Sequence, residues 1–228
     1  MASPSTGFYS AGDLRKIRNA ICARLALPDD LPSGWTRSPV AVDAAVEAVP
    51  SLGLAEGWCL RGYVFREGDN GNGIVWALPL DAGFPEAHDC PKLDRYFLAP
   101  PKPPAGREPL EAVKGDHSPR SYLEAALLLY ELYEFGALWH GTSWGACTVC
   151  DGPPEDWAAW TRSNDVAFDW RPRVNIGADG RAVVEFLVLD HVGRETLAHH
   201  RFRFENCGGY VPEVSIDRVA EGGPGVIF

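Results

Sequence analysis

Between residues 139 and 170 the chain gathers five of its eight tryptophans, Trp139, Trp144, Trp157, Trp160 and Trp170, beside His140, Ser143, Cys147, Cys150 and Asp151. No other stretch mixes aromatic bulk with reactive side chains so densely. Gly141-Thr142-Ser143-Trp144-Gly145 fits G-x-S-x-G, the turn that lifts a nucleophilic serine between a strand and a helix. The surroundings argue against that use. A helical pattern precedes the motif, Cys147 to Pro154 follows it, and no strand–helix alternation predicts a parallel sheet. Asp169 or Asp190, then His191 or His199, follow in triad order, a pattern short enough to arise by chance.

Cys147-x-x-Cys150 has the spacing at which two thiolates reach one tetrahedral zinc ion. The pair is half a site. The other ligands would come from His140 or from His88-Asp89-Cys90-Pro91, and zinc is the one cofactor these residues suggest. A zinc deaminase signature is excluded, because Cys90 stands where its glutamate belongs and Ala146 where its proline belongs. A thioredoxin-like use of the pair needs a βαβ pattern, which is missing.

A third reading is a binding cradle. Indole rings supply flat apolar area and one N–H donor each, and they concentrate at recognition hot spots. Trp139, His140, Ser143, Trp144, Trp157 and Trp160 would hold a flat ligand, a sugar or a partner's side chain. Asp151, Glu155 and Asp156 favour a cationic partner. The structural alternative is that these aromatics fill a core, where cysteine is also common. Catalysis needs a nucleophile or metal, a base and a charge stabiliser in one place, and the sequence offers only fragments of that set. The leading expectation is therefore a non-enzymatic binding or interaction protein. A metal- or thiol-dependent enzyme, or a structural zinc protein, centred on Cys147, Cys150 and His140 is the alternative.

Composition narrows the partners. The 228 residues carry 31 acidic and 21 basic side chains, a net charge of −10. With 46% hydrophobic and 23% charged residues the chain is ordinary globular material, not disordered, collagen-like or a coiled coil. The negative field repels nucleic acid and an anionic membrane surface. No apolar run approaches the roughly 18 residues of a membrane-spanning helix. The opening MASPSTGFYSAGDLRK lacks a secretory pattern. Six cysteines in a chain read this way point to reduced thiols and a cytoplasmic location.

The elements that must position these residues read as α+β. Residues 1–12 look like a flexible tail before a single domain over 13–228. Asp13 caps an expected helix over 14–26, with Leu14, Ile17, Ile21 and Leu25 on one face. Ser38-Pro39 starts a second helix that ends at Pro50. A β-hairpin follows, Trp58–Arg66 and Ile74–Leu78, turning through Glu67–Gly73. Residues 79–119 hold nine prolines and predict a polyproline stretch joining two sub-lobes. A central helix that starts within Ser118-Pro119-Arg120-Ser121-Tyr122-Leu123-Glu124 and runs to about Trp139 is apolar almost all round and therefore buried. Ser121 with Glu124 fits a capping box, and Glu124, Glu131 and Glu134 fall with Arg120 on one solvated stripe. From residue 171 the pattern is a C-terminal antiparallel β-meander. There His199, Arg201 and Arg203 face one side and His200, Phe202 and Phe204 the other, so the two histidines cannot serve one site. No repeat of 20 to 50 residues is present.

Overall fold

The computed structural model describes residues 4–93, 98–139, 142–163, 169–205 and 209–226. In chain order the first elements are β1 (Ser5–Phe8), α1 (Ala11–Leu25), β2 (Gly34–Arg37), α2 (Asp43–Glu47) and β3 (Leu52–Leu54). Next come β4 (Trp58–Glu67), β5 (Asn70–Pro79), β6 (Val113–Gly115) and α3 (Pro119–Tyr133). The rest are β7 (Cys147–Cys150), β8 (Thr161–Arg162), β9 (Arg173–Ile176), β10 (Ala182–Asp190), β11 (Arg194–Phe204) and β12 (Glu213–Pro224). The fold is α+β with antiparallel sheets, and strand outweighs helix. Among the described residues no helix is long and apolar enough to cross a membrane. The chain divides into two compact units. The first holds residues 1–16, 117–126 and 145–228; the second holds 17–116 and 127–144.

The first unit is built on a seven-stranded sheet ordered β1-β9-β10-β11-β12-β8. β9 and β7 share one edge of β10, β9 pairing with Ala182–Glu185 and β7 with Leu187–Asp190. Period-two alternation sorts the faces. Ala182, Val184, Phe186 and Val188 are buried with His200, Phe202 and Phe204. On the other face Leu187, Leu189, Leu197 and Ala220 form a second core under Trp160. The polar end of that face carries Glu185, which accepts from Arg173 and Arg201 at 2.9 Å each. The arginine face is thus occupied by a cross-strand carboxylate. Asn-free, glycine-bearing turns at Gly180 and Gly193, both with positive φ, close the hairpins where the sequence places them.

Gly222 of β12 lies directly beneath the Trp160 indole, and a Cβ there would stand 2.5 Å from the ring. Gly222→Ala is expected to lower unfolding free energy by about 1–3 kcal/mol through overpacking. Urea unfolding with an unchanged slope checks it. A variant as stable as the parent would show that the indole is not seated there.

Where residues 1–12 read as a tail, Ser5–Phe8 pairs with β9. A four-residue edge strand has too little pattern to show in sequence. Ser10, not Asp13, caps α1. Its Oγ accepts from the Asp13 N–H at 3.1 Å, and Asp13 Oδ2 accepts from the Ser10 N–H at 3.1 Å. Those hydrogen bonds from Ser10 hold the Asp13 carboxyl below its usual range. The apolar stripe Leu14, Ile17, Ile21 and Leu25 is buried as its spacing requires.

α3 starts at Pro119, where Ser118-Pro119 predicts it, and Ser118 rather than Ser121 is the cap: Ser118 Oγ accepts from the Ser121 N–H at 3.2 Å. Ser121 itself is fully buried and lies 2.8 Å from the Tyr210 hydroxyl. The helix ends at Tyr133, short of Trp139, because Gly136 takes a left-handed φ of 72°. The expected solvated stripe is corrected. Glu124 is 0% and Glu131 4% exposed, and each is neutralised by an arginine.

The second unit carries a three-stranded sheet β2-β4-β5, the small pair β3–β6 and α2. The β4–β5 turn is tighter than Glu67–Gly73. Gly68, with φ 56°, and Asp69 make it alone. Gly71 and Gly73 lie inside β5 because the neighbouring backbone leaves no room for a Cβ: Gly136 O lies against Gly71 and Phe135 O against Gly73. The expected helix over 41–49 shrinks to the five residues of α2. Of the proline-rich stretch 79–119, residues up to Asp116 belong to the second unit and residues from His117 to the first. Indole N–H groups pin it: Trp35 Nε1 donates to Leu98 O and Trp76 Nε1 to Pro101 O, each at 2.9 Å. Prolines supply carbonyl acceptors without asking for donors in return.

Candidate functional site

The residues singled out by sequence divide between the two units. Trp139 and Trp144 belong to the second unit and Trp157, Trp160 and Trp170 to the first. Trp144 is 6% exposed and is a core residue. Its Nε1–H donates to Glu131 Oε1 at 2.7 Å, and the Arg18 guanidinium lies 4.0 Å from its ring centroid. Trp160 is 8% exposed, and Trp157 packs on it at 5.7 Å and on Trp170 at 5.3 Å. These indoles cover the second face of the large sheet, which explains the density of tryptophan: a sheet with two apolar faces needs bulky lids on both. Of the six residues proposed to form the cradle, Trp139 is widely exposed, at 57%. His140 lies outside the described residues, as do Gly141 and Cys207.

Ser143 is not set up as a nucleophile. Its hydroxyl donates to Glu134 Oε2 at 3.0 Å and its N–H to Glu134 Oε1 at 2.8 Å. The glutamate closes the loop after α3 by gathering these donors together with the Trp144 N–H at 3.0 Å. Asp151 is also committed, accepting from the Ala11 N–H at the start of α1 at 2.8 Å.

The two thiols expected to share a zinc ion do not converge. Cys147 and Cys150 are the first and last residues of strand β7. Three positions apart on a strand means opposite faces, so the two sulfurs cannot close on one ion. Burial raises the Cys150 thiol above its ordinary range, which opposes a thiolate. Cys90 is 6% exposed and sits 3.1 Å from the Tyr63 hydroxyl, whereas the His88 side chain is 81% exposed beside Asp89. Among the described residues no group of three or more His, Cys, Asp or Glu is placed to hold a metal ion.

What the second unit does form is an aromatic cleft of about 740 Å³. Its walls come from the β4–β5 hairpin, from β2, from the proline-rich stretch and from the end of α3. Trp35, Phe65, Trp76 and Tyr133 supply the rings, and Glu67 and Glu108 supply two carboxylates. Trp35 and Phe65 lie 5.5 Å apart and tilted. Tyr133 is 59% exposed, so the cleft has an open aromatic rim over a buried Trp76. Both tryptophan N–H groups are spent on the proline-rich carbonyls, which fixes the rings, and Lys102 Nζ lies 5.4 Å from the Trp76 ring centroid. The volume is in the range of pockets that enclose small molecules. Sequence reading passed over these residues because they are scattered. Trp76 falls within the expected hairpin strand Ile74–Leu78, Trp35 lies in no element the pattern predicts, and no local spacing links position 35 to position 133.

Fold and site together define an α+β protein with antiparallel sheets and an aromatic, carboxylate-edged cleft in its hairpin unit. The chain matches no family model, and no curated protein or solved structure matches it.

Proposed function

We propose that the chain is a cytoplasmic, non-enzymatic binding protein whose hairpin cleft takes a flat apolar small molecule bearing a positive charge. The observation that carries this reading is the joining of four aromatic side chains with Glu67 and Glu108 in one cleft. Aromatic faces attract cations, by about 0.5–2 kcal/mol at such sites, and unlike charges favour encounter. A chain of net charge −10 adds to that attraction. The cytoplasmic part rests on thiols used as thiols: Cys59 donates to Leu78 O at 3.5 Å, and Cys90 contacts Tyr63.

Titration with 1-methylquinolinium, followed by tryptophan fluorescence, tests the reading. Saturable quenching at one equivalent is expected. Trp35→Ala should weaken binding roughly tenfold, a loss of about 1.4 kcal/mol, and should also lower the thermal midpoint through the lost bond to Leu98 O. Glu67→Gln should weaken it about threefold, and neutral 1-methylnaphthalene should bind less well than the cation. Equal binding by parent and Trp35→Ala would remove the cleft from consideration.

A further inference from the structure

Alternation along β4 sends Phe65 and Glu67 to the aromatic cleft and Arg66 to the opposite side of the hairpin. Arg66 is 8% exposed. Its Nη1 donates to Phe65 O at 2.9 Å and to Gly136 O at 2.7 Å, which uses both hydrogens of that nitrogen. No carboxylate lies within ion-pairing distance of it among the described residues. Its Nε–H and Nη2 groups bond to nothing described, yet no buried side-chain nitrogen lacks a partner. Those groups therefore open onto accessible surface, and the surface Arg66 lines is a second pocket of about 340 Å³.

A guanidinium stays charged in any protein setting, and a buried one without a counter-ion is costly. The pocket offers a reason for retaining it. Asp29 and Asp69 share the wall with Arg66, and neither forms an ion pair among the described residues. Leu25, Leu27 and Leu138 complete an apolar side. A simple anion would meet the arginine but also two carboxylates. A simple cation would meet the carboxylates but also the arginine. A molecule carrying both charges a few ångströms apart, with an aliphatic group, satisfies all three.

We propose that this pocket binds a small aliphatic α-amino acid, its carboxylate on the free edge of the Arg66 guanidinium and its ammonium on Asp29 and Asp69. The two-pronged Arg–carboxylate contact gives direction as well as strength. The leucines take the side chain.

Calorimetric titration of the full chain with L-leucine is the test. One equivalent should bind at millimolar concentration or below. Leucinamide, which lacks the carboxylate, and 4-methylpentanoate, which lacks the ammonium, should each bind roughly tenfold more weakly, the cost of one charge-assisted hydrogen bond. Asp69→Asn, at an exposed turn position, should weaken L-leucine about tenfold and leave the thermal midpoint near that of the parent. Arg66→Lys keeps the charge, loses the fork and should weaken leucine while sparing leucinamide. No binding of L-leucine at tens of millimolar, or 4-methylpentanoate binding as well as leucine, overturns the proposal. So does Asp69→Asn with unaltered affinity. Binding in the aromatic cleft is read separately through the quinolinium probe, so either site can fail alone.

Discussion

Glu131→Ala is expected to destabilise the second unit by roughly 3–5 kcal/mol, the cost of breaking a buried ion pair from one side. Glu131 is 4% exposed and binds three groups. Arg18 Nε donates to its Oε1 at 2.7 Å, Trp144 Nε1 donates to the same oxygen at 2.7 Å, and the Cys22 thiol donates to Oε2 at 3.0 Å. Removing the carboxylate strands the Arg18 charge and an indole donor together. Burial, then the hydrogen bond to Glu131, pushes the Cys22 thiol up to about 12. In the variant that thiol should titrate closer to an ordinary cysteine, and alkylation against pH would report it. The double variant Arg18→Met/Glu131→Leu should recover much of the loss, since a well-packed apolar pair can replace a buried salt bridge. Denaturant unfolding measures both. A single variant within about 0.5 kcal/mol of the parent would contradict the network.

The second large effect is on acid stability. His200 is 8% exposed and stacks on Phe186 at 5.9 Å. Burial, helped by the neighbouring His199, lowers its imidazole to about 4 from an ordinary 6.5. A histidine depressed in the folded state is neutral there while the unfolded chain takes up a proton. Stability is therefore intact above pH 6.5 and is lost as pH falls toward 4, by about 3 kcal/mol at pH 4. His199 is depressed in the same sense, first by burial, and adds to the slope just below 6.5. Glu185, held below its ordinary value by Arg201 and Arg173 against the opposing effect of burial, loses its contribution lower still. His200→Leu should flatten the stability–pH curve between 6.5 and 4 by nearly one proton. A curve with the parent's slope would show that other groups cause the acid loss.

The C-terminal sheet was legible because each strand is long enough for alternation to repeat, and glycines mark its turns. Leu14, Ile17, Ile21 and Leu25 announced α1 for the same reason, at helical spacing. Strands β1, β7 and β8 were not legible. They have two to four residues and exist only because a partner edge is there to accept them. Gly71 and Gly73 were read as turn residues, although their purpose is to let the backbone after α3 come close. Trp144 looked available because its neighbours are polar. Its burial depends on Arg18 and Glu131, more than a hundred and about a dozen positions away respectively. The cleft was hidden for the same reason: its rings at positions 35, 65, 76 and 133 meet only in three dimensions.

The placement of Cys147 and Cys150 at the two ends of β7 has a use as a recorder. Their α-carbons are separated by about 10 Å along an extended strand, beyond the roughly 7 Å that a cystine bridge tolerates. While the strand is docked on β10, oxidants cannot join the pair. A loss of two hydrogens mapped to this peptide by mass spectrometry would therefore register how often that edge peels away, on a chain otherwise folded.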